Sequence, residues 1–190
     1  MPFLRHPRHR EHAAQGRTLR QRRFAARQEV QRLSTSSVPE ILLLCYGNPA
    51  REDDGLGPAL ALEMEEYGFS GLTVDADYQL QVEDAVTASR HKVVIFADAA
   101  AEGDEPFSFT KLETQDEIRI ESHSVDPETI LGLARRLSPA QREGYLLGIR
   151  GYSFNAFTEG LGEKARRNLS SAKQFLTAFL HNYIDTDAVT

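Results

Sequence analysis

The sequence predicts an α/β fold, with helices packed on a mainly parallel sheet. Strand-length apolar runs, Ile41–Tyr46 and Lys92–Ala97, alternate with stretches of helical period. The runs are apolar throughout rather than alternating, the pattern of strands buried on both faces. Acidic residues cluster just after these runs, where open sheets of this class place their sites.

The elements follow in order. Residues 1–38 read as a basic, disordered N-terminal extension, and residues 39–190 as a single α/β domain. The extension holds nine arginines, no lysine, and a Ser34–Ser37 tract. Its composition also fits a transit peptide or an arm for an anionic partner. Strand one is Ile41–Tyr46, and a helix from about Asp54 to Tyr67 presents Leu56, Leu60 and Met64 at helical spacing. Gly68 and Gly71 bracket a turn into strand two, Leu72–Ala76, and a short helix covers Val82–Ser89. Strand three, Lys92–Ala97, ends at Asp98. Too few residues separate it from Phe107–Leu112 for a crossover, so this fourth strand is expected antiparallel to the third. Asp126-Pro127-Glu128 reads as N-cap, N1 proline and first-turn acid of a helix to Leu137. Tyr145–Ile149 is strand five. Leu161, Ala165, Leu169, Ala172, Leu176 and Phe179 form the apolar stripe of a last helix.

Composition narrows the function. The extension carries +7 (nine arginines against Glu11 and Glu29), so within a whole-chain charge of −6 the remainder carries −13. An acidic body is a poor nucleic-acid surface and a better one for cations. No apolar stretch reaches the roughly 20 residues of a membrane span. Cys45 is the single cysteine, so no internal disulfide or all-cysteine metal site can form within one chain.

The candidate residues are few. Glu52, Asp53 and Asp54 follow strand one, Asp75 and Asp77 strand two, and Asp98 strand three. The turn after strand one lacks a phosphate-binding glycine pattern, and its three acids would repel a phosphate at a helix N-terminus. Of the domain's histidines, His91 precedes a strand and His181 lies at the end of the last helix; only His123 is in a loop able to reach the acidic edge. Two carboxylates and an imidazole suit a borderline divalent metal such as nickel or zinc. The competing readings are a helix cap for Asp53 or Asp54, a turn acid for Asp98, and an exposed loop histidine for His123. Cys45 reads as an inert core thiol.

The stretches LLLCYGNPAREDDGLG, VVIFADAA, IESHSVDPETILGLA and LLGIRGYSF with FTEGLGEKA resemble the hydrogenase maturation endopeptidases. These enzymes process the C-terminus of [NiFe]-hydrogenase large subunits. The resemblance covers about Glu40 to Leu180. It implies a flavodoxin-like three-layer α/β/α sandwich, with a five-stranded, mainly parallel sheet containing one antiparallel strand. It also implies Asp54, Asp98 and His123 as metal ligands, with Asp54 and Asp98 as catalytic candidates, while Asp53 caps the helix or orients its neighbour. Glu52 falls in the family's variable spacer. The metal would be nickel, read on the substrate rather than held permanently. The implied partner is the precursor of a [NiFe]-hydrogenase large subunit, met by a monomeric cytoplasmic enzyme without nucleic acid or membrane. The alternative is a non-hydrolytic, metal-sensing assembly chaperone for the same precursor. Where many relatives follow strand two with a D-G-G-T-like turn, this chain reads Asp75-Ala76-Asp77-Tyr78. That departure implies a different hydrogenase class, such as a cytoplasmic multi-subunit one.

Overall fold

The computed structural model describes residues 41–113, 125–138, 140, 142–155 and 157–187. By its contacts the chain divides into residues 1–37 and 38–190, and all described residues lie in the second unit. The expected N-terminal extension therefore lies outside the described residues.

Five strands form one sheet: β1 (Ile41–Tyr46), β2 (Leu72–Asp77), β3 (Val93–Ala100), β4 (Phe107–Lys111) and β5 (Glu143–Arg150). Their order is β2-β1-β3-β5-β4. β1 is parallel to β2 and β3, β3 is parallel to β5, and β4 is antiparallel to β5. β4 runs antiparallel to β3, as expected, but pairs with β5 instead of β3. β5 inserts between β3 and β4, giving β3 a parallel partner on both sides.

Among the described residues, four α-helices cover the sheet: α1 (Leu56–Tyr67), α2 (Asp84–Ala88), α3 (Pro127–Leu137) and α4 (Glu163–Asp187). Successive side chains of a strand point to opposite faces, and β1 feeds two separate cores. Ile41, Leu43 and Cys45 join Leu56, Leu60 and Met64 of α1 and Leu169, Ala172 and Leu176 of α4. Leu42 and Leu44 face Ala85 and Ala88 of α2 and Ile130, Leu131 and Ala134 of α3. The result is a three-layer α/β/α sandwich. Burying each large side chain in these layers contributes about 1.5–3 kcal/mol, which is why β1 is apolar at nearly every position.

Local signals set the helix ends. Asp126 accepts a hydrogen bond from Thr129 N at 2.6 Å, and Pro127 opens α3, as the sequence predicts. α1 stops at Gly68, whose φ of 67° is left-handed, with its N–H donating to Met64 O. At the amino edge of the sheet the buried Arg142 caps two helix C-termini. It donates to the carbonyls of Ala88 and Ser89 after α2, and of Ser138 and Ala140 after α3. His91 is buried there as well. Its Nδ1 donates to Thr87 O at 2.9 Å and its Nε2 accepts from the Thr73 hydroxyl at 3.2 Å. His181 lies within α4 rather than at its end, 3.3 Å from the Tyr67 hydroxyl and edge-on to Phe69.

Candidate active site

The chain leaves β1 for β2 on one side and takes up β3 on the other, so the strand order reverses between β1 and β3. In open α/β sheets the crevice at the carboxyl ends beside such a reversal is where ligands bind. Asp54, in the turn after β1, and Asp98, in β3, both lie at this point.

Two glycines fold the turn down onto the sheet. A Cβ on Gly47, whose φ is 135°, would stand 2.1 Å from Asp54 O. A Cβ on Gly57 would stand 2.2 Å from Tyr46 O and 2.9 Å from Ala97 O. Backbone thus approaches backbone at distances no side chain permits. The acids do not open an α-helix directly, as the sequence led us to expect. Glu52–Gly55 form a separate 3₁₀ turn, and α1 begins at Leu56.

Each acid of that turn has its own environment. Asp54 is partly exposed; its Oδ2 accepts from Asn48 N at 3.1 Å and lies 3.7 Å from Arg51 Nη1. Asp53 is buried and does not cap α1, whose N-terminus has no side-chain cap. Instead its Oδ2 accepts from Tyr152 N at 2.8 Å and Ser153 N at 3.1 Å, and its Oδ1 from Gly162 N at 2.8 Å. Glu52, at a φ of 50°, accepts from the Ser153 hydroxyl, from Asn155 N at 3.3 Å and from Asn155 Nδ2 at 2.8 Å. Sequence reading gave Glu52 no role and Asp53 that of a cap or an orienting neighbour. Both tie the turn to the loop after β5, across about a hundred residues of chain. The backbone completes the tie: Glu52 N donates to Thr158 O at 2.8 Å and Thr158 N to Ala50 O at 3.2 Å. No local pattern could have revealed these pairings.

Asp98 is mostly buried. Burial pushes its carboxyl up to about 6, opposed by a hydrogen bond from Ala99 N and reinforced by the negative charge of Asp54. The two carboxylates are thus close enough to feel one another. Carboxylate oxygens at this edge suit a hard or borderline divalent metal. Tyr46 is level with Asp98 in the strand register, and burial together with Asp98, Glu128 and Asp126 raises its phenol. The N-terminus of α3 therefore also reaches this edge. His123 lies outside the described residues, and among the described residues no group of three or more His, Cys, Asp or Glu is arranged to hold a metal. Cys45 is a buried thiol raised by burial, which suits an inert core residue.

No family model and no curated protein matches the chain. Solved structures do. The [NiFe] hydrogenase maturation protease HycI from Thermococcus kodakarensis KOD1 superposes with a TM-score of 0.58 at 18% identity, over 80% of this chain and 99% of that one. The hydrogenase maturating endopeptidase HybD from E. coli gives 0.58 at 17% identity, over 76% of this chain and 93% of that one. A hydrogenase 2 maturation peptidase from Thaumarchaeota archaeon SCGC_AB-539-E09 gives 0.55 at 21% identity, over 74% and 97%. The β2-β1-β3-β5-β4 sheet, its four covering helices and the acidic switch point therefore belong to a chain with the fold of the [NiFe] hydrogenase maturation proteases.

Proposed function

We propose that this protein is an endopeptidase that removes a C-terminal peptide from the nickel-loaded precursor of a [NiFe]-hydrogenase large subunit. The observation that carries the proposal is the placement of Asp54 after β1 and Asp98 in β3, at the β1/β3 switch point of a fold whose solved neighbours include hydrogenase maturation proteases. The resemblance read from the sequence singles out the same two acids.

Nickel belongs to the substrate in this reading and arrives in the precursor's own site. Asp54, Asp98 and His123 would approach it. A site of two carboxylates and one imidazole, without thiolates, suits transient contact rather than permanent capture. Nickel held by the precursor would supply Lewis acidity, either at the scissile carbonyl or to an attacking water. Asp54 or Asp98 would accept the proton of the attacking water. Arg51 and Asn48 N hold Asp54 in place, and Ala99 N holds Asp98. Among the described residues no helix is long and apolar enough to cross a membrane. We place the reaction in the cytoplasm, with the enzyme a monomer.

The test is incubation of purified protein with a candidate large-subunit precursor, with and without nickel, read by intact mass. Loss of a C-terminal peptide only from the nickel-loaded form is expected. Equal cleavage of both forms would refute metal reading, and a stable complex with no mass change would establish a chaperone instead. Replacement of Asp54, Asp98 or His123 by Ala should abolish processing with the fold retained.

A further inference from the structure

Resting on the reading above, we propose that the loop following β5 is a recognition arm for the folded body of the protein substrate, with Phe157 as its anchor. Phe157 is 98% exposed, so its ring gains nothing from burial in its own domain. Its backbone has a φ of 64°, a left-handed conformation that a bulky residue adopts only at a cost and that glycine adopts freely. By folding criteria alone, glycine would serve better at this position. A residue that is both strained and unburied points to a use outside the fold.

The loop is also fixed, and fixed to the site. Asp53 receives three of its backbone N–H groups at 2.8–3.1 Å. Glu52 holds Ser153 and Asn155, and Arg51 Nη2 donates to Phe154 O at 3.4 Å. Immediately after Phe157, Thr158 bridges to Arg51, the residue that pairs with Asp54. The ring is therefore held out into solvent by the same turn that carries Asp54. A chain entering the crevice at Asp54 and Asp98 brings the body of its protein alongside this loop.

The occupant follows from shape. A lone aromatic standing almost wholly in solvent offers no cavity for a small molecule, which needs a concave site. It is instead the projecting half of a contact whose pocket lies on a protein partner, a role in which aromatic anchors dominate binding energy. An extended substrate tail alone would supply no such pocket. The precursor's folded surface would.

The experiment compares the full-length wild type, Phe157→Gly and Phe157→Leu on nickel-loaded precursor, with KM and kcat measured by intact mass and melting temperature by calorimetry. Phe157→Gly should melt at or above the wild-type temperature. It should raise KM at least tenfold and leave kcat within twofold, and Phe157→Leu should recover part of the loss. An unchanged KM in Phe157→Gly would overturn the inference while leaving the protease reading intact. So would a clear fall in its melting temperature, which would mean the ring serves the fold. Wild-type protein that neither binds nor cuts the precursor would overturn the protease reading, and this inference with it.

Discussion

Replacing Asp98 by Asn should make the metal-free protein more stable and, at the same time, inactive. The substituted amide would keep an oxygen to accept from Ala99 N, now bonded to Asp98 Oδ1 at 2.7 Å, and would lose only the charge. The folded chain raises this carboxyl from 3.8 to about 6, through burial first and with the charge of Asp54 adding to it. A native-state value above the unfolded one means that the folded protein binds the proton more tightly. Stability therefore falls as pH rises from about 4 to about 6, and the full cost is present above that window. At roughly 1.4 kcal/mol per pKa unit, that cost is about 3 kcal/mol. Urea unfolding of wild type and Asp98→Asn in a chelator, followed by circular dichroism at pH 4, 6 and 8, measures the difference directly. The variant should be more stable at pH 8 by about 2–3 kcal/mol, with the gap closing toward pH 4. A variant no more stable than wild type at pH 8, or a gap that widens on acidification, would refute the reasoning. Free nickel at neutral pH should narrow the gap only slightly, because a site built for transient contact gains little stability from the free ion.

Other expectations concern the parts that hold the site. Asp53→Ala should cost roughly 2–4 kcal/mol, since three part-buried backbone donors lose their buried acceptor. Hydrogen exchange should then accelerate at Tyr152, Ser153 and Gly162, and unchanged protection there would show that the loop is held by other contacts. Gly57→Ala should fail to fold or melt far below wild type, because the added methyl would stand 2.2 Å from the Tyr46 carbonyl, which is backbone and cannot yield cheaply. Arg142→Met should lower stability by about 2–4 kcal/mol by uncapping the ends of α2 and α3. It lies at the opposite edge of the sheet, so processing measured well below the melting temperature should be unaffected.

Much of the fold was legible in the sequence because its signals are local. Unbroken apolar runs mark β1 and β3, and Asp126-Pro127 marks the start of α3. Acids after β1 and at the end of β3 then fall at one edge by the general geometry of open sheets. Strand neighbours were less legible. That β4 pairs with β5 rather than β3 depends on which arrangement buries more, and neither strand encodes its partner. Side-chain roles in the turn were harder still. Asp53 and Asp54 are adjacent and chemically identical, yet one is buried under a loop and the other partly exposed beside Arg51.

By itself, then, the chain's order of residues determined the layers, the three-residue acidic turn and the set of acids at the strand ends, since periodicity and strand-end position are properties of short segments. It was the resemblance to the maturation endopeptidases that singled out Asp54 and Asp98 among them. Only the tertiary structure decided that Asp53 and Glu52 serve the loop following β5, that Asp54 and Asp98 share a field, and that Phe157 is held in solvent. Those facts come from contacts between segments about fifty to a hundred residues apart. Such contacts leave no local pattern to read, because each segment's own conformation is equally compatible with other partners.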